Sequence, residues 1–208
     1  MTIKFTDVDV TGLKFTELQE NTRSKGQKIS YPRYTNPKDG SEMPLFIQFP
    51  WINLKSYGVP KIGEYYSDDT QRSFVKVPLD QSIPEIKQLS DFIIKLDEEM
   101  SSEKFKLHMF GTKASKYHHQ PIFRIPPEED DDTINQNKKN YGPKHPYMKL
   151  KIDTTFPDNE VKTIIFDSVV KDGVRVRTKI NNVKTIDDFA SHICWMSRIH
   201  PVVRPVKL

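Results

Sequence analysis

The sequence predicts a mainly β protein with one main helix. Several runs alternate strictly between apolar and polar residues, which is the two-residue period of a half-buried strand. An Asp172-Gly173 pair separates two such runs, and Asp-Gly is a strong hairpin signal. Apolar residues recur at helical spacing over a long stretch in only one part of the sequence. Strands are therefore expected to dominate the fold.

The alternation is clearest between residues 146 and 208. Met148–Asp153 alternates, Val161–Val170 is rich in β-formers, and Val174–Ile180 alternates again after the Asp-Gly corner. We expect a meander in which one set of side chains enters the core. The other set is basic in both outer strands, and it comprises Lys149, Lys151, Arg175, Arg177 and Lys179. Solvated sheet faces carry lysine and arginine routinely. A sheet with one apolar face and one cationic face can also be a binding site for a polyanion.

Earlier strands are expected at Ile29–Tyr34, Pro44–Trp51 and Ser73–Leu79. In the third of these, Val75, Val77 and Leu79 share one face, and Phe74 and Lys76 lie on the other. Two further strands are expected at about Phe105–Phe110 and Gln120–Ile125.

The main helix is expected at about Pro84 to Met100. Ser82 to Glu85 has the form of a capping box with proline in the first turn, and apolar residues follow at helical spacing. Its acidic surface would repel phosphates, so reading of a duplex by this helix is not expected. A second, shorter helical turn is expected from Thr185 to Phe189.

Composition bounds the class of protein. The 208 residues hold 36% hydrophobic and 29% charged side chains with a net charge of +4, which fits one large domain spanning 1–208 or a domain with a substantial insertion. Residues 146–208 contain 11 basic and 7 acidic groups, so the excess lies in the strand-rich third. The acidic segment at about 126–145 is expected to be a mobile loop.

The chain has a single cysteine, Cys194, in an apolar context. We expect it to be buried, and the absence of a disulfide framework favours a soluble intracellular protein. No apolar run reaches the roughly 18 residues needed to span a bilayer, so no membrane partner is expected.

The sequence contains no recognisable catalytic or metal-binding motif. There is no Gly-rich phosphate loop, no nucleophile elbow and no Cys or His pair at metal spacing, so neither catalytic residues, a metal nor a cofactor is expected. Asp153, Asp167, Asp187 and Asp188 could be imagined as a two-metal nuclease cluster, but helix capping is the simpler explanation of the last two. The protein is therefore not expected to be an enzyme.

The sequence also contains basic residues interleaved with aromatic residues. Single strands are held by a positive groove and by aromatic faces on which bases stack. Added to the five basic residues above, the candidate binding residues are Tyr34, Tyr57, Tyr65, Phe74 and Lys76. The tyrosines are chosen because we expect them to lie outside the core.

The order of strands and helix is compatible with an OB-type barrel with additional strands, a fold that commonly binds oligonucleotides. Several segments also resemble the single-stranded-DNA-binding proteins of large nucleocytoplasmic DNA viruses, a group similar to the T7-type phage single-stranded-DNA-binding protein. The segments are Pro44–Trp51, Phe74–Asp80 before an acidic helix, Gln120–Arg124, Pro146–Asp153, Arg175–Ile180 and Val183–Asp188.

The resemblance implies an OB fold and coating of DNA in viral replication, recombination and repair, at replication sites in the infected host cell. The phage-type proteins end in an acidic tail that recruits replication proteins, and this sequence ends in Pro205-Val206-Lys207-Leu208. Partner recruitment of that kind is expected only if the natural chain continues.

The function expected is sequence-tolerant binding of single-stranded DNA. RNA is an alternative ligand, since stacking surfaces accept either, and self-association is left open. The rival interpretation is a β-rich structural or protein-interaction module that docks an acidic partner.

Overall fold

The computed structural model describes residues 2–22, 26–36, 40–63, 65–127 and 144–206. Most of the acidic segment expected at about 126–145 lies outside these residues. The described chain is rich in β-structure, arranged in several small sheets with few helices. The strands are β1 (Thr2–Lys4), β2 (Leu13–Phe15), β3 (Gln19–Glu20), β4 (Lys28–Ile29), β5 (Pro32–Thr35), β6 (Glu42–Met43), β7 (Phe46–Gln48), β8 (Ile52–Asn53), β9 (Phe74–Pro78), β10 (Tyr147–Lys151), β11 (Phe166–Lys171), β12 (Val174–Lys179), β13 (Arg198–Ile199) and β14 (Val202–Val203). The α-helices are α1 (Asp69–Arg72), α2 (Pro84–Ser101), α3 (Glu103–Phe110) and α4 (Ile186–His192).

The chain divides into two compact units. The first comprises Met1–Ile52, Leu79–Pro126 and His200–Leu208, and the second comprises Asn53–Pro78 and Pro127–Ile199. The prediction of a single domain remains a prediction.

The first unit contains three small sheets and the main helix. Strand β7 lies between β1, which is parallel to it, and β14, which is antiparallel. A second sheet has the order β2-β5-β6, and β3 pairs with β4. Leu45, Ile47 and Phe49 are buried, so the predicted apolar face of the Pro44–Trp51 segment is confirmed.

Helix α2 begins at Pro84, as the sequence predicts, and buries Ile86, Leu89 and Ile93. The capping box expected at Ser82 does not form. The N-cap is Ile83, which has no side-chain cap bond, and Ser82 instead donates its backbone N–H and its hydroxyl to Asp80. Proline in the first turn tolerates this because it has no N–H to satisfy.

Two strands expected in the first unit are wrong. Residues 105–110 belong to helix α3, because Ser102 caps the helix by accepting a hydrogen bond from the Phe105 N–H at 3.1 Å. Residues 120–125 form no strand ladder. Arg124 makes only an isolated bridge, and the Asp97 carboxylate accepts from the backbone N–H groups of Ile122 and Phe123, which a ladder would pair with a neighbouring strand.

The second unit contains the two longest strand pairs among the described residues. Strand β9 pairs antiparallel with β10, and β11 pairs antiparallel with β12. The meander expected from the sequence is confirmed only at its first turn, where Thr154 bridges Val161 and the Lys162 N–H donates to the Asp153 carbonyl oxygen at 2.7 Å. The ladder of β10 is formed with β9, and β11–β12 is a separate hairpin. The turn is the predicted Asp172-Gly173, where both residues have positive φ, +50° and +77°, as a type I′ turn requires.

Helix α4 confirms the short helical turn expected near Thr185. The Thr185 hydroxyl accepts from the Asp188 N–H at 3.0 Å, and the Asp188 carboxylate accepts from the Thr185 N–H at 2.9 Å. This is a complete capping box.

None of the sheets formed by the described residues closes into a barrel. Within the same residues, no helix is both long and apolar enough to cross a membrane.

Candidate functional site

The outer face of the β9–β10 sheet brings together the aromatic and basic side chains that the sequence singles out. In the antiparallel register, Lys76 is opposite Lys149 and Phe74 is opposite Lys151. Tyr147, opposite Pro78, lies on the same face because it precedes Lys149 by two residues. We call Phe74, Lys76, Tyr147, Lys149 and Lys151 the aromatic–lysine face.

The inner face of the same sheet is dry. Val77 and Met148, which are cross-strand partners, are both 0% exposed, and Val75 is also buried. The period-two alternation thus fixes which side chains reach the outer face. The predicted combination of a dry face and a cationic face is confirmed for β10, which pairs with β9.

Lys76 is held between two tyrosine rings. Its Nζ lies 3.8 Å from the ring centroid of Tyr147 and 4.2 Å from that of Tyr57. The two rings contact each other, with centroids 5.4 Å apart. The Tyr57 hydroxyl donates to the His145 carbonyl oxygen at 3.0 Å, which fixes the ring that reaches this face from the loop before β9.

Lys149 makes the equivalent contact with the other aromatic residue of the face. Its Nζ lies 4.3 Å from the ring centroid of Phe74. Tyr66 packs edge-on against Phe74 with centroids 5.8 Å apart. Contacts of a cation with an aromatic face contribute about 0.5–1 kcal/mol at partly exposed sites, so they hold the lysines in place without neutralising them.

The electrostatics of this face favour an anion. Burial lowers the pKa of Lys76, and the nearby positive charges of Lys149 and Lys144 lower it further. Lys76 forms no salt bridge with a carboxylate of the described chain. A phosphate brought to this face would remove the repulsion that these ammonium groups exert on one another.

The β11–β12 hairpin carries the second group of predicted basic residues. Arg175, Arg177 and Lys179 share one face of β12, opposite Val170, Ser168 and Phe166 in register. All residues of β12 are exposed, so its valines do not enter a core as the sequence suggested. The reason is that no second layer of the described chain covers this two-stranded ribbon. We call Arg175, Arg177 and Lys179 the basic hairpin face.

The remaining predicted site residues have different environments. Lys151 is exposed at the end of β10, and Tyr65 is 83% exposed in the loop before α1. The prediction that Tyr34 lies outside the core is wrong. Tyr34 is 1% exposed in β5, and its hydroxyl accepts from the Asp9 N–H at 3.2 Å. A tyrosine on the inner face of a strand is buried with its hydroxyl satisfied, so Tyr34 offers no stacking surface.

Two of the aspartates considered as a nuclease cluster, Asp187 and Asp188, have structural hydrogen-bond partners. Asp188 caps α4, and hydrogen bonds from the Thr185 and Lys184 backbone lower its pKa. Asp187 accepts from Arg72, with Nη2 to Oδ1 at 2.6 Å. Among the described residues, no group of three or more His, Cys, Asp or Glu could hold a metal ion.

Cys194 is exposed, so its predicted burial is wrong. Helix α4 ends at His192, and the apolar run after it falls in a turn where Met196 has a φ of +69°. A turn presents its side chains to solvent whatever their polarity.

Tyr147 is the residue of the face that sequence reasoning missed. It lies two residues before Lys149 and four before Lys151, so strand periodicity alone places it beside them. Tyr66 and Lys144 were also left out of the predicted set, and their contacts depend on loop conformations that carry no sequence period.

The chain is similar to a viral protein. The chain is 26% identical over 183 residues to a protein of Acanthamoeba polyphaga mimivirus named Uncharacterized protein R505. The match covers 79% of this chain and 44% of the mimivirus protein, so the chain spans less than half the length of that relative. No protein-family model matches the chain, and no solved structure matches it.

Proposed function

We propose that the protein binds single-stranded DNA with little sequence preference, through the aromatic–lysine face of β9–β10. The observation that carries this proposal is the alternation of ammonium groups and rings on one outer face, with Lys76 and Lys149 directly opposite each other. Lysines can contact phosphates there, and rings can stack on bases, as in proteins that hold unpaired strands. The basic hairpin face supplies a second row of phosphate contacts.

The rings favour a nucleic acid over an acidic protein partner. Carboxylates of a partner protein would pair with the lysines, whereas unpaired bases would also stack on the rings of Tyr57, Phe74 and Tyr147. Base–aromatic stacking contributes about 1–3 kcal/mol per base and tolerates any base, because every base has a π face. Sequence tolerance follows from this mode of contact.

An OB-type barrel and a viral replication role belong to the same proposal. The mixture of short strands and one main helix is in keeping with such a barrel, although the barrel needs pairing beyond the ladders of the described residues. The mimivirus relative supports a viral origin, which agrees with the resemblance of the sequence to viral single-stranded-DNA-binding proteins. A crystal structure with an oligonucleotide tests both the barrel and the interface.

Fluorescence anisotropy with labelled oligonucleotides is the primary test. We expect homopolymeric single strands of DNA to bind with similar affinities, duplex DNA of the same length to bind more weakly, and poly-glutamate to compete poorly. The affinity should fall steeply with salt because each neutralised phosphate releases counterion. Salt-independent affinity, or competition by poly-glutamate at the same charge concentration, would favour the acidic-partner interpretation.

A matched RNA oligonucleotide decides between the two nucleic acids. Preference for DNA supports the proposal as stated. Preference for RNA replaces the ligand but keeps the interface, because the 2′-hydroxyl is the only group that distinguishes the two backbones at such a site.

A further inference from the structure

The face of the β11–β12 hairpin opposite the basic hairpin face carries three uncovered valines together with Asp167, Lys171 and Thr178. Val169, Val174 and Val176 lie on this side, and they are 42%, 65% and 39% exposed. Val169 and Val176 are direct cross-strand partners at its centre. We call these three residues the valine face. An isolated two-stranded ribbon is marginally stable in water, so a layer that covers its valines stabilises it.

The charges at the two ends of the valine face have opposite signs. Asp167 and Lys171 flank Val169 on β11, two residues away on either side, so their side chains lie on the same face. The two are about 14 Å apart along the strand at the rise of an antiparallel ladder. Neither forms an ion pair with a residue of the described chain.

This pattern is complementary to itself. Consider two copies of the hairpin stacked face to face about a two-fold axis that lies between them, perpendicular to the strands. The axis reverses the strand direction, so Val169 meets Val169 of the second copy, and Asp167 of each copy meets Lys171 of the other. In an isologous contact of this kind the Asp167–Lys171 pair is made twice, and Val169 meets its own copy on the axis.

We propose that the valine face is a self-association surface whose occupant is the same face of a second copy of this chain. The basic hairpin face excludes the opposite arrangement, because the same two-fold stacking on that side brings Arg175 against Lys179 of the second copy. Stacking through the valine face leaves both basic hairpin faces exposed. The contact is small, so the dimer is weak and concentration-dependent.

Sedimentation velocity of the whole chain without nucleic acid measures this association at concentrations up to about 1 mM. We expect the wild-type protein to form dimers as its concentration rises. Asp167→Lys and Lys171→Asp should each raise the dimer dissociation constant about tenfold, because each replaces two attractions with two repulsions.

The decisive experiment mixes the Asp167→Lys variant with the Lys171→Asp variant. One variant then carries lysine at both positions and the other carries aspartate at both, so a mixed pair regains both attractions. Heterodimers that are tighter than either homodimer support the proposal, as does restored homodimerisation in the Asp167→Lys/Lys171→Asp double variant. A mixture no more associated than its components overturns it, and so does a wild-type protein that stays monomeric throughout the concentration range.

Arg177→Gln is the matched control on the opposite face of the same hairpin, and it should leave the dimer dissociation constant unchanged. A dimer that weakens with Arg177→Gln would place the contact on the wrong face and overturn the assignment. Because no arm contains nucleic acid, the result is independent of whether the protein binds single-stranded DNA.

Discussion

Lys76 and Lys149 are direct cross-strand partners on the outer face of the β9–β10 sheet, and the ammonium of each lies over an aromatic ring. Like charges directly opposite each other destabilise a strand pair. The rings of Tyr147 and Phe74 offset part of this repulsion, and a bound phosphate would offset more. This pair therefore connects the stability of the sheet to the binding of an anion.

We expect Lys76→Gln and Lys149→Gln each to weaken single-strand binding for all sequences alike, because phosphate contacts carry no sequence information. Each should also flatten the dependence of log affinity on log salt by about 0.7 for every phosphate that the variant no longer neutralises. Anisotropy titrations at several salt concentrations measure both effects. Lys104→Gln, at an exposed lysine of α3, is the charge-matched control and should leave the slope unchanged. An equal loss of affinity in Lys104→Gln would indicate that only net charge matters.

The pKa of Lys76 should respond to both its neighbours and its ligand. Lys149→Gln should raise that pKa partway towards the ordinary value of 10.5, because it removes one repulsive charge but leaves the burial that is the main cause. A bound oligonucleotide should raise it further. Lysine side-chain NMR over a pH titration reads the pKa directly, and a pKa unchanged by a saturating oligonucleotide would remove Lys76 from the interface.

The sign of the linked stability follows from the same shift. Because the folded state lowers the pKa of Lys76, the unfolded chain holds the proton more strongly between the lowered value and 10.5. The contribution of Lys76 to stability is therefore unfavourable below this window and improves as pH rises through it. Chemical denaturation across this range should show a smaller rise in Lys76→Gln than in the wild type.

Arg72 should be the most sensitive charged residue of the second unit. It is 2% exposed, and its guanidinium donates to Asp69 at 2.7 Å, to Asp187 at 2.6 Å and to the Pro60 carbonyl at 3.1 Å. Arg72→Ala should lower the free energy of unfolding by about 2–3 kcal/mol, because the variant loses both the packing of the side chain and its charged hydrogen bonds.

Asp187→Asn is the matched comparison, because the Asp187 side chain is 77% exposed. It should cost less than Arg72→Ala, because the buried guanidinium keeps its hydrogen bonds to Asp69 and to the Pro60 carbonyl. Denaturant titrations of both variants give the two values. Equal losses would show that the ion pair matters more than the burial of the arginine.

Tyr34→Phe tests the correction at that residue. Removing the hydroxyl leaves the Asp9 N–H without its partner, which should cost about 1 kcal/mol of stability. Single-strand affinity should not change, because the ring is buried. Tyr31→Phe, at a tyrosine that is 44% exposed, serves as the stability control. A loss of affinity in Tyr34→Phe at unchanged stability would contradict this placement.

The parts of the site that follow strand periodicity could be predicted from the sequence. Phe74 and Lys76 on one side of β9 and Val75 and Val77 on the other follow from alternation alone, as do Lys149 and Lys151 on β10. The Asp172-Gly173 hairpin follows from local turn chemistry, because its two positive φ angles suit these residue types.

Pairing partners and burial could not be predicted in the same way. No local feature of Met148–Asp153 indicates that its ladder forms with β9 rather than with the segment that follows it, because strand pairing depends on residues far apart in the sequence. Tyr34 lies at a position compatible with either face of its strand, and only the packing of β5 decides that it is buried. The alternating residues 105–110 became a helix because a cap at Ser102 and a glycine at position 111 define its two ends.

The second unit is built from two stretches of chain that are synthesised at different times. The 68 residues between Pro78 and Tyr147 must be translated before β9 meets β10, which takes roughly 3–14 s at ordinary ribosome speeds. During that interval β9 lacks the strand with which it pairs, so its edge N–H and C=O groups are open and Val75 and Val77 lack their cross-strand neighbours Leu150 and Met148. Unpaired strand edges are prone to aggregation, so we expect the yield of folded protein to depend on protection of the nascent chain as well as on the stability of the finished sheet.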